Sequence, residues 1–204
     1  GQMKEIRTAE QRKAASVGEY SIQIQLAYPS AAVKNSAEKD LVEDIFTILM
    51  ETRPGIVYLH NPADKHDTHV ACVLRSIEAL RRLPEKDRPG KVYGCEVWRN
   101  LDWLCDNEKI ALPASEFKNL AAATLGVFDS QITGGKRYDL AAVGRRLSNA
   151  TFFSSHETDD CDSLIYAMDL SPLIRNSKLS VADYTVEAIE RFKNDVKSRI
   201  NKFS

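Results

Sequence analysis

The chain has 204 residues, a length that fits one well-packed α/β domain and is too short for two domains of ordinary size. It is 43% hydrophobic and 28% charged with a net charge of −1, which argues against disorder and against nucleic acid as a partner. No stretch approaches the roughly 20 apolar residues of a membrane span, and the four cysteines form no Cys-x-x-Cys pair. We therefore expect a cytoplasmic protein without a membrane partner, which could form a homo-oligomer.

The first half of the chain alternates helical and strand patterns. Helices are predicted over residues 3–17, 37–52 and 70–80, and strands over residues 20–26, 56–59 and 91–98. The run 56–59 is continuously apolar, which is typical of a central strand buried on both faces of a parallel sheet. The loop 60–69 then leaves the carboxyl end of that strand, where ligands bind in doubly wound α/β folds.

The second half is less regular and richer in helices. Helices are predicted near residues 115–128, over 139–149 and from Ser180 onward, where the Ser180 side chain can cap the helix at Asp183. The pattern as a whole predicts one α/β domain over residues 1–204. We expect a Rossmann-like three-layer sandwich with a mostly parallel sheet over 1–98, and a helical or irregular cap with a C-terminal helix over 99–204.

Three of the four histidines and two aspartates fall within ten residues: His60, Asp64, His66, Asp67 and His69. Neutral imidazoles and carboxylates are the ligands that zinc selects in proteins. These histidines could instead cap the following helix or bond to backbone carbonyls. A free-standing zinc site needs at least three protein ligands, and we expect this segment to bring at most two together, so the others must lie elsewhere.

Two further polar segments are candidates for binding substrate. Lys136 and Arg137 follow a glycine pair on a turn before a helix, where they could hold a sugar hydroxyl or phosphate, or simply be solvated. Trp98 lies at the exit of a predicted strand, where its ring could stack on a sugar or pack in the core. The sequence leaves both pairs of alternatives open.

The segment 56–70, which reads IVYLHNPADKHDTHV, resembles the second metal motif of the LmbE-like, or PIG-L, N-acetylglucosaminyl deacetylases. That motif is His-x-Asp-His after a strand. The run Arg7-x-x-Glu10-x-x-x-Ala14-Ala15 is similar to an earlier helix of the family, and Asp129-Ser130-Gln131 resembles the Ser-Gln element of a later helix. The histidine motif is the most specific of the three.

The resemblance implies that His69 is a zinc ligand and that His66 donates a proton or stabilises the oxyanion formed from an acetamide. The family's aspartate before the last histidine is Thr68 here. That aspartate would orient His66 for catalysis, and Asp64 or Asp67 could take over its role. The implied activity is zinc-dependent removal of an N-acetyl group from an N-acetylglucosamine-type sugar or sugar phosphate.

The family's first metal motif, His-Pro-Asp-Asp-Glu, does not occur in these 204 residues. We expect that about 70 to 90 residues, two βα units at typical length, are missing from the start. The chain alone should then bind zinc weakly and have little activity. The alternatives are a catalytically dead sugar-binding or partner-binding domain of the same fold, and an unrelated metal-dependent phosphoesterase.

Overall fold

The computed structural model describes residues 1–204 and confirms the α/β class. Four strands form one sheet in the order β1-β2-β4-β3. The strands are β1 (Ile56–His60), β2 (Lys91–Cys95), β3 (Lys109–Pro113) and β4 (Leu164–Asp169). The helices are α1 (Gln2–Val17), α2 (Ser30–Lys34), α3 (Asp40–Thr52), α4 (Asp67–Arg82), α5 (Lys118–Gly126), α6 (Asp129–Ile132), α7 (Tyr138–Thr151), α8 (Ser171–Arg175) and α9 (Val181–Lys202).

The chain forms two compact units, each built from two separate segments. One unit comprises Gly1–Gln25 and Leu112–Ile165, and the other comprises Leu26–Ala111 and Tyr166–Ser204. The first contains the helices α1, α5, α6 and α7, and we call it the helical unit. The second contains β1, β2 and the helices α2, α3, α4, α8 and α9, and we call it the sheet unit. The prediction of a single domain over residues 1–204 stays a prediction.

The sheet unit is organised by the pairing of β1 with β2. The two strands run parallel with Ile56 opposite Lys91 and His60 opposite Cys95, while β2 pairs with β4 in antiparallel orientation. The helix α4 connects β1 to β2 and packs on β1, α2, α3 and α8. Its apolar residues recur at three- and four-residue steps, which places one stripe of the helix in the core. Fully buried members of this core are Val73, Ile77, Leu80, Val92, Leu170 and Leu173.

Gly94 in β2 lets the loop after β1 approach the sheet closely. A Cβ atom at Gly94 would lie 2.9 Å from Leu170 Cδ1 and 3.1 Å from Asn61 Cα. Both distances are at or below the limit that real side chains tolerate, so a larger residue would push the loop outward. The absence of a side chain at Gly94 therefore helps to set the position of the histidine segment.

The helical unit is held together in part by a buried carboxylate. Glu10 of α1 accepts hydrogen bonds from the Ser130 backbone N–H and hydroxyl, both at 2.7 Å. Glu10 and Ser130 belong to the two outer sequence segments that resemble the PIG-L family. In the structure these segments are in direct contact.

Two strand predictions were wrong. The segment 20–26 forms no strand, and its alternating Ile22 and Ile24 are exposed, because no neighbouring strand pairs with it. The strand β1 is an edge strand rather than a central one, and Ile56 and Tyr58 are 48% and 58% exposed. A continuous apolar run indicates a strand but does not give its position in the sheet.

None of the helices is both long and apolar enough to cross a bilayer.

Candidate metal centre

The histidine segment begins where β1 ends and is anchored to β2. His60 is the last residue of β1, and the buried Asn61 that follows it donates from its backbone N–H to Cys95 O at 3.0 Å. The Asn61 side chain donates to the same carbonyl at 3.1 Å. His66 then precedes α4, and His69 lies in the first turn of that helix with its N–H bonded to His66 O at 2.9 Å. A strand end and a helix start thus bring the three histidines to one place.

Asp64 lies at the centre of this loop, and its side chain is 0% exposed. Its Oδ1 accepts from the His66 backbone N–H at 3.1 Å, and its Oδ2 accepts from the Trp98 backbone N–H at 3.2 Å. Oδ2 also lies 3.4 Å from His69 Nδ1. Burial raises the pKa of Asp64, but these three hydrogen bonds lower it by more, so the carboxyl pKa lies below its usual value. Asp64 is therefore a carboxylate at neutral pH.

The imidazole rings of the segment are stacked. The His60 and His69 centroids are 4.0 Å apart with an interplanar angle of 7°, and the His66 and His69 centroids are 4.5 Å apart at 29°. Burial is the largest cause that lowers the pKa of His60, and the neighbouring His69 lowers it further. His60 is therefore neutral at pH 7, which is the form in which imidazole binds metals.

These residues fit a metal ion by the chemistry of their donor atoms. His60, Asp64 and His69 each offer a ligand atom, and the three atoms lie within 4.8 Å of one another. Two imidazoles and one carboxylate are a donor set that suits zinc. Three candidate donor atoms thus lie close together in this segment.

The stacking limits how this set could bind one ion. A metal bound to imidazole lies close to the plane of the ring. The His60 and His69 rings are almost parallel and lie one above the other, so a single ion cannot lie in both planes. As the rings stand, one of them could hold the ion, and the other would have to turn about its side-chain torsions to join it.

Trp98 and His66 lie beside this group. The Trp98 ring is 6.3 Å from the His66 ring, and Lys65 Nζ lies 5.6 Å from the Trp98 ring centre. Trp98 is half-buried, while His66 is exposed. Asp67 is exposed in the first turn of α4. The catalytic roles predicted for His66, Asp64 and Asp67 stay predictions.

Lys136 and Arg137 lie in the helical unit, just before α7, and both are exposed. Arg137 forms two hydrogen bonds to the Asp139 carboxylate, at 3.0 and 2.7 Å. These bonds lower the pKa of Asp139 to about 2. The guanidinium is thus already engaged by a carboxylate, and binding of substrate by Lys136 and Arg137 stays a prediction.

Sequence reasoning did not assign His60 a role in the site. The signal was present, because three histidines within ten residues were recognised as a cluster. What the sequence could not supply was the stacking of His60 on His69, which depends on the path of the loop between the end of β1 and the start of α4.

Comparison with known proteins agrees with this description. The sequence model of the PIG-L family, described as GlcNAc-PI de-N-acetylase, matches residues 1–80. No curated protein matches the sequence. A solved structure, the 4-carboxy-2-hydroxymuconate hydratase GalB from Pseudomonas putida KT2440, superposes with a TM-score of 0.54 at 16% identity, over 84% of this chain and 73% of that one. At this identity the structural match shows a shared α/β fold alone. The match to the PIG-L family model shows similarity to that family over residues 1–80.

Proposed function

We propose that this chain carries metal-binding residues of a zinc-dependent hydrolase that removes the N-acetyl group from an N-acetylglucosamine-type sugar or its phosphate. The observation that carries the proposal is the convergence of the His60 and His69 imidazoles on the buried Asp64 carboxylate at the carboxyl end of β1. The family match covers this same segment. Donor sets of this kind serve metal-assisted chemistry in proteins. Ligands commonly bind at the carboxyl ends of parallel strands.

His69 is the residue best placed to hold the ion, with His60 as a further donor once its ring turns. A bound zinc ion would supply Lewis-acid polarisation of the acetamide carbonyl and activation of water. Asp64 is buried and keeps a negative charge beside the two imidazoles. That negative charge attracts a cation into the cleft.

His66 is proposed to transfer the proton that the departing amine needs. Its ring stacks on His69 at 4.5 Å and is exposed, so a bound substrate can reach it. A positioned histidine contributes about 10²- to 10⁴-fold to such reactions. Trp98, next to His66, offers an aromatic face for a sugar ring, with the Lys65 ammonium close to the same ring.

A second candidate is hydration of a carboxylated double bond, the reaction class in the name of the superposed hydratase. The shared fold over 84% of this chain is the observation that brings it into consideration. Both reactions need activated water and a proton donor, so the same residues could serve either one. The substrate class separates the two candidates.

The test is amine release from N-acetylglucosamine and N-acetylglucosamine phosphate by the 204-residue chain with added zinc. We expect slow release that chelation stops and that His69→Ala and His66→Ala both reduce at least tenfold. Equal release by wild type and both variants would overturn the proposal. Consumption of a hydroxymuconate without amine release would favour hydration, and saturable sugar binding without turnover would favour a binding domain.

A further inference from the structure

We propose that Asp64 is a positioning residue that orients His69 toward the metal rather than a ligand of the metal. The inference rests on the proposed function, because it assigns a role within the same centre. It starts from the three contacts of the buried Asp64 carboxylate. Each contact constrains a different part of the site.

The first constraint acts on the His69 ring. A carboxylate that accepts from two backbone N–H groups is an acceptor only, so its contact with His69 Nδ1 requires the hydrogen to be on Nδ1. The lone pair of neutral His69 is then on Nε2. A metal-bound histidine commonly donates its other ring N–H to a carboxylate, which fixes both the tautomer and the ring orientation.

The second constraint joins two loops. His66 lies before α4, whereas Trp98 lies beyond the end of β2, 34 residues from Asp64 in sequence. Asp64 accepts the backbone N–H of both residues, one on each oxygen. The buried Asp64 carboxylate therefore helps to position both His66, the proposed proton donor, and Trp98, the proposed aromatic face for the sugar.

The number of contacts argues against direct ligation. An ionised carboxylate has about four lone-pair directions, and three N–H groups already face this one. Binding a metal through Oδ2 would compete with both Trp98 and His69 for that oxygen. If the metal binds His69 Nε2 instead, all three N–H groups keep their hydrogen bonds to Asp64.

The first experiment reads the His69 tautomer in the metal-free chain by long-range ¹H–¹⁵N correlation, at about pH 8, which is above the ordinary imidazole pKa of about 6.5. An unconstrained histidine prefers the Nε2–H form. We expect His69 to be in the Nδ1–H form in wild type, and Asp64→Asn to raise the Nε2–H population. Asp87→Asn, the same substitution in the turn after α4, should leave the tautomer unchanged. An Nε2–H form of His69 in wild type would overturn the inference.

The second experiment measures zinc affinity by competition with a chromophoric chelator. Loss of a residue that orients a ligand costs about 10- to 100-fold in metal affinity. We expect Asp64→Asn to weaken zinc binding by that factor and His69→Ala to abolish measurable binding. Equal loss in both variants would make Asp64 a ligand and overturn the inference. If wild type shows the Nδ1–H form but releases no amine from any substrate, the proposed function fails while the inference stands.

Discussion

At the scale of single residues, two short motifs that are 120 residues apart in sequence meet through Glu10 and Ser130. Each motif resembles the PIG-L family only weakly by itself. Ser130 donates both its N–H and its hydroxyl to the Glu10 carboxylate, and these bonds are the largest causes that lower the Glu10 pKa. The two motifs are thus joined by a buried, charge-assisted contact in this chain.

The Glu10 pKa predicts an acid-sensitive contribution to stability. Because the pKa of Glu10 is lowered in the folded chain, its carboxylate stabilises the fold at pH values above its unfolded-state pKa of about 4.3. The stabilisation is lost as pH falls through the lower, folded value. We expect Glu10→Gln to flatten the fall in the free energy of unfolding below pH 4.3, measured by urea titrations at several pH values. Glu5→Gln, an exposed site on the same helix, is the control, and an equal slope in both variants would contradict the prediction.

The residues of the site were predictable in part. The spacing of His66 and His69 and the strand before them identified the segment, because these features involve only residues that are close together in the sequence. The hydrogen bond from Trp98 to Asp64 could not be predicted in this way, because its partners are 34 residues apart and are brought together by the pairing of β1 with β2. The orientation of His60 depends on the same tertiary arrangement.

At the scale of secondary-structure elements, the helix cap predicted at Ser180 is confirmed. The Ser180 hydroxyl accepts from the Asp183 N–H at 3.2 Å at the start of α9. Replacing an N-cap serine by alanine costs about 1 kcal/mol, because one N–H group of the first turn loses its partner. We expect Ser180→Ala to lower the free energy of unfolding by that amount in chemical denaturation. The control is the exposed Ser177→Ala, and the cap would have no measurable role if both variants were equally stable.

Helices were predicted better than strands. The predicted helices over residues 3–17, 37–52 and 139–149 correspond to α1, α3 and α7, because their apolar residues follow the helical period. The strands β3 and β4 were not predicted. Residues 109–113 and 164–169 are short apolar runs, which periodicity alone does not distinguish from buried helix or loop.

The packing of α4 determines where His69 lies, and this can be tested in the core. Ile77 is 1% exposed, whereas Leu74 on the same helix is 37% exposed. Removing a fully buried isoleucine side chain costs about 2–5 kcal/mol, because burial is lost and a cavity forms. We expect Ile77→Ala to lose that much stability in urea denaturation and Leu74→Ala less than half as much. Similar losses at both positions would show that α4 is packed differently.

At the scale of the whole molecule, the proposed centre lies entirely within the sheet unit. Its residues come from one segment between β1 and α4 and from the residues after β2. The α/β class could be predicted from the alternation of helical and strand patterns. The division into two units could not, because residues 112–165 join residues 1–25 only through tertiary contacts.

The most direct test of the metal centre is an anomalous difference map at the zinc edge, from a crystal of the chain soaked in zinc. We expect a peak about 2.0–2.1 Å from His69 Nε2. The Asp64 carboxylate should still face Nδ1 of the same ring. A map without a peak at His60, Asp64 or His69, or with its only protein-bound peak elsewhere, would contradict the assignment of this segment as a metal centre.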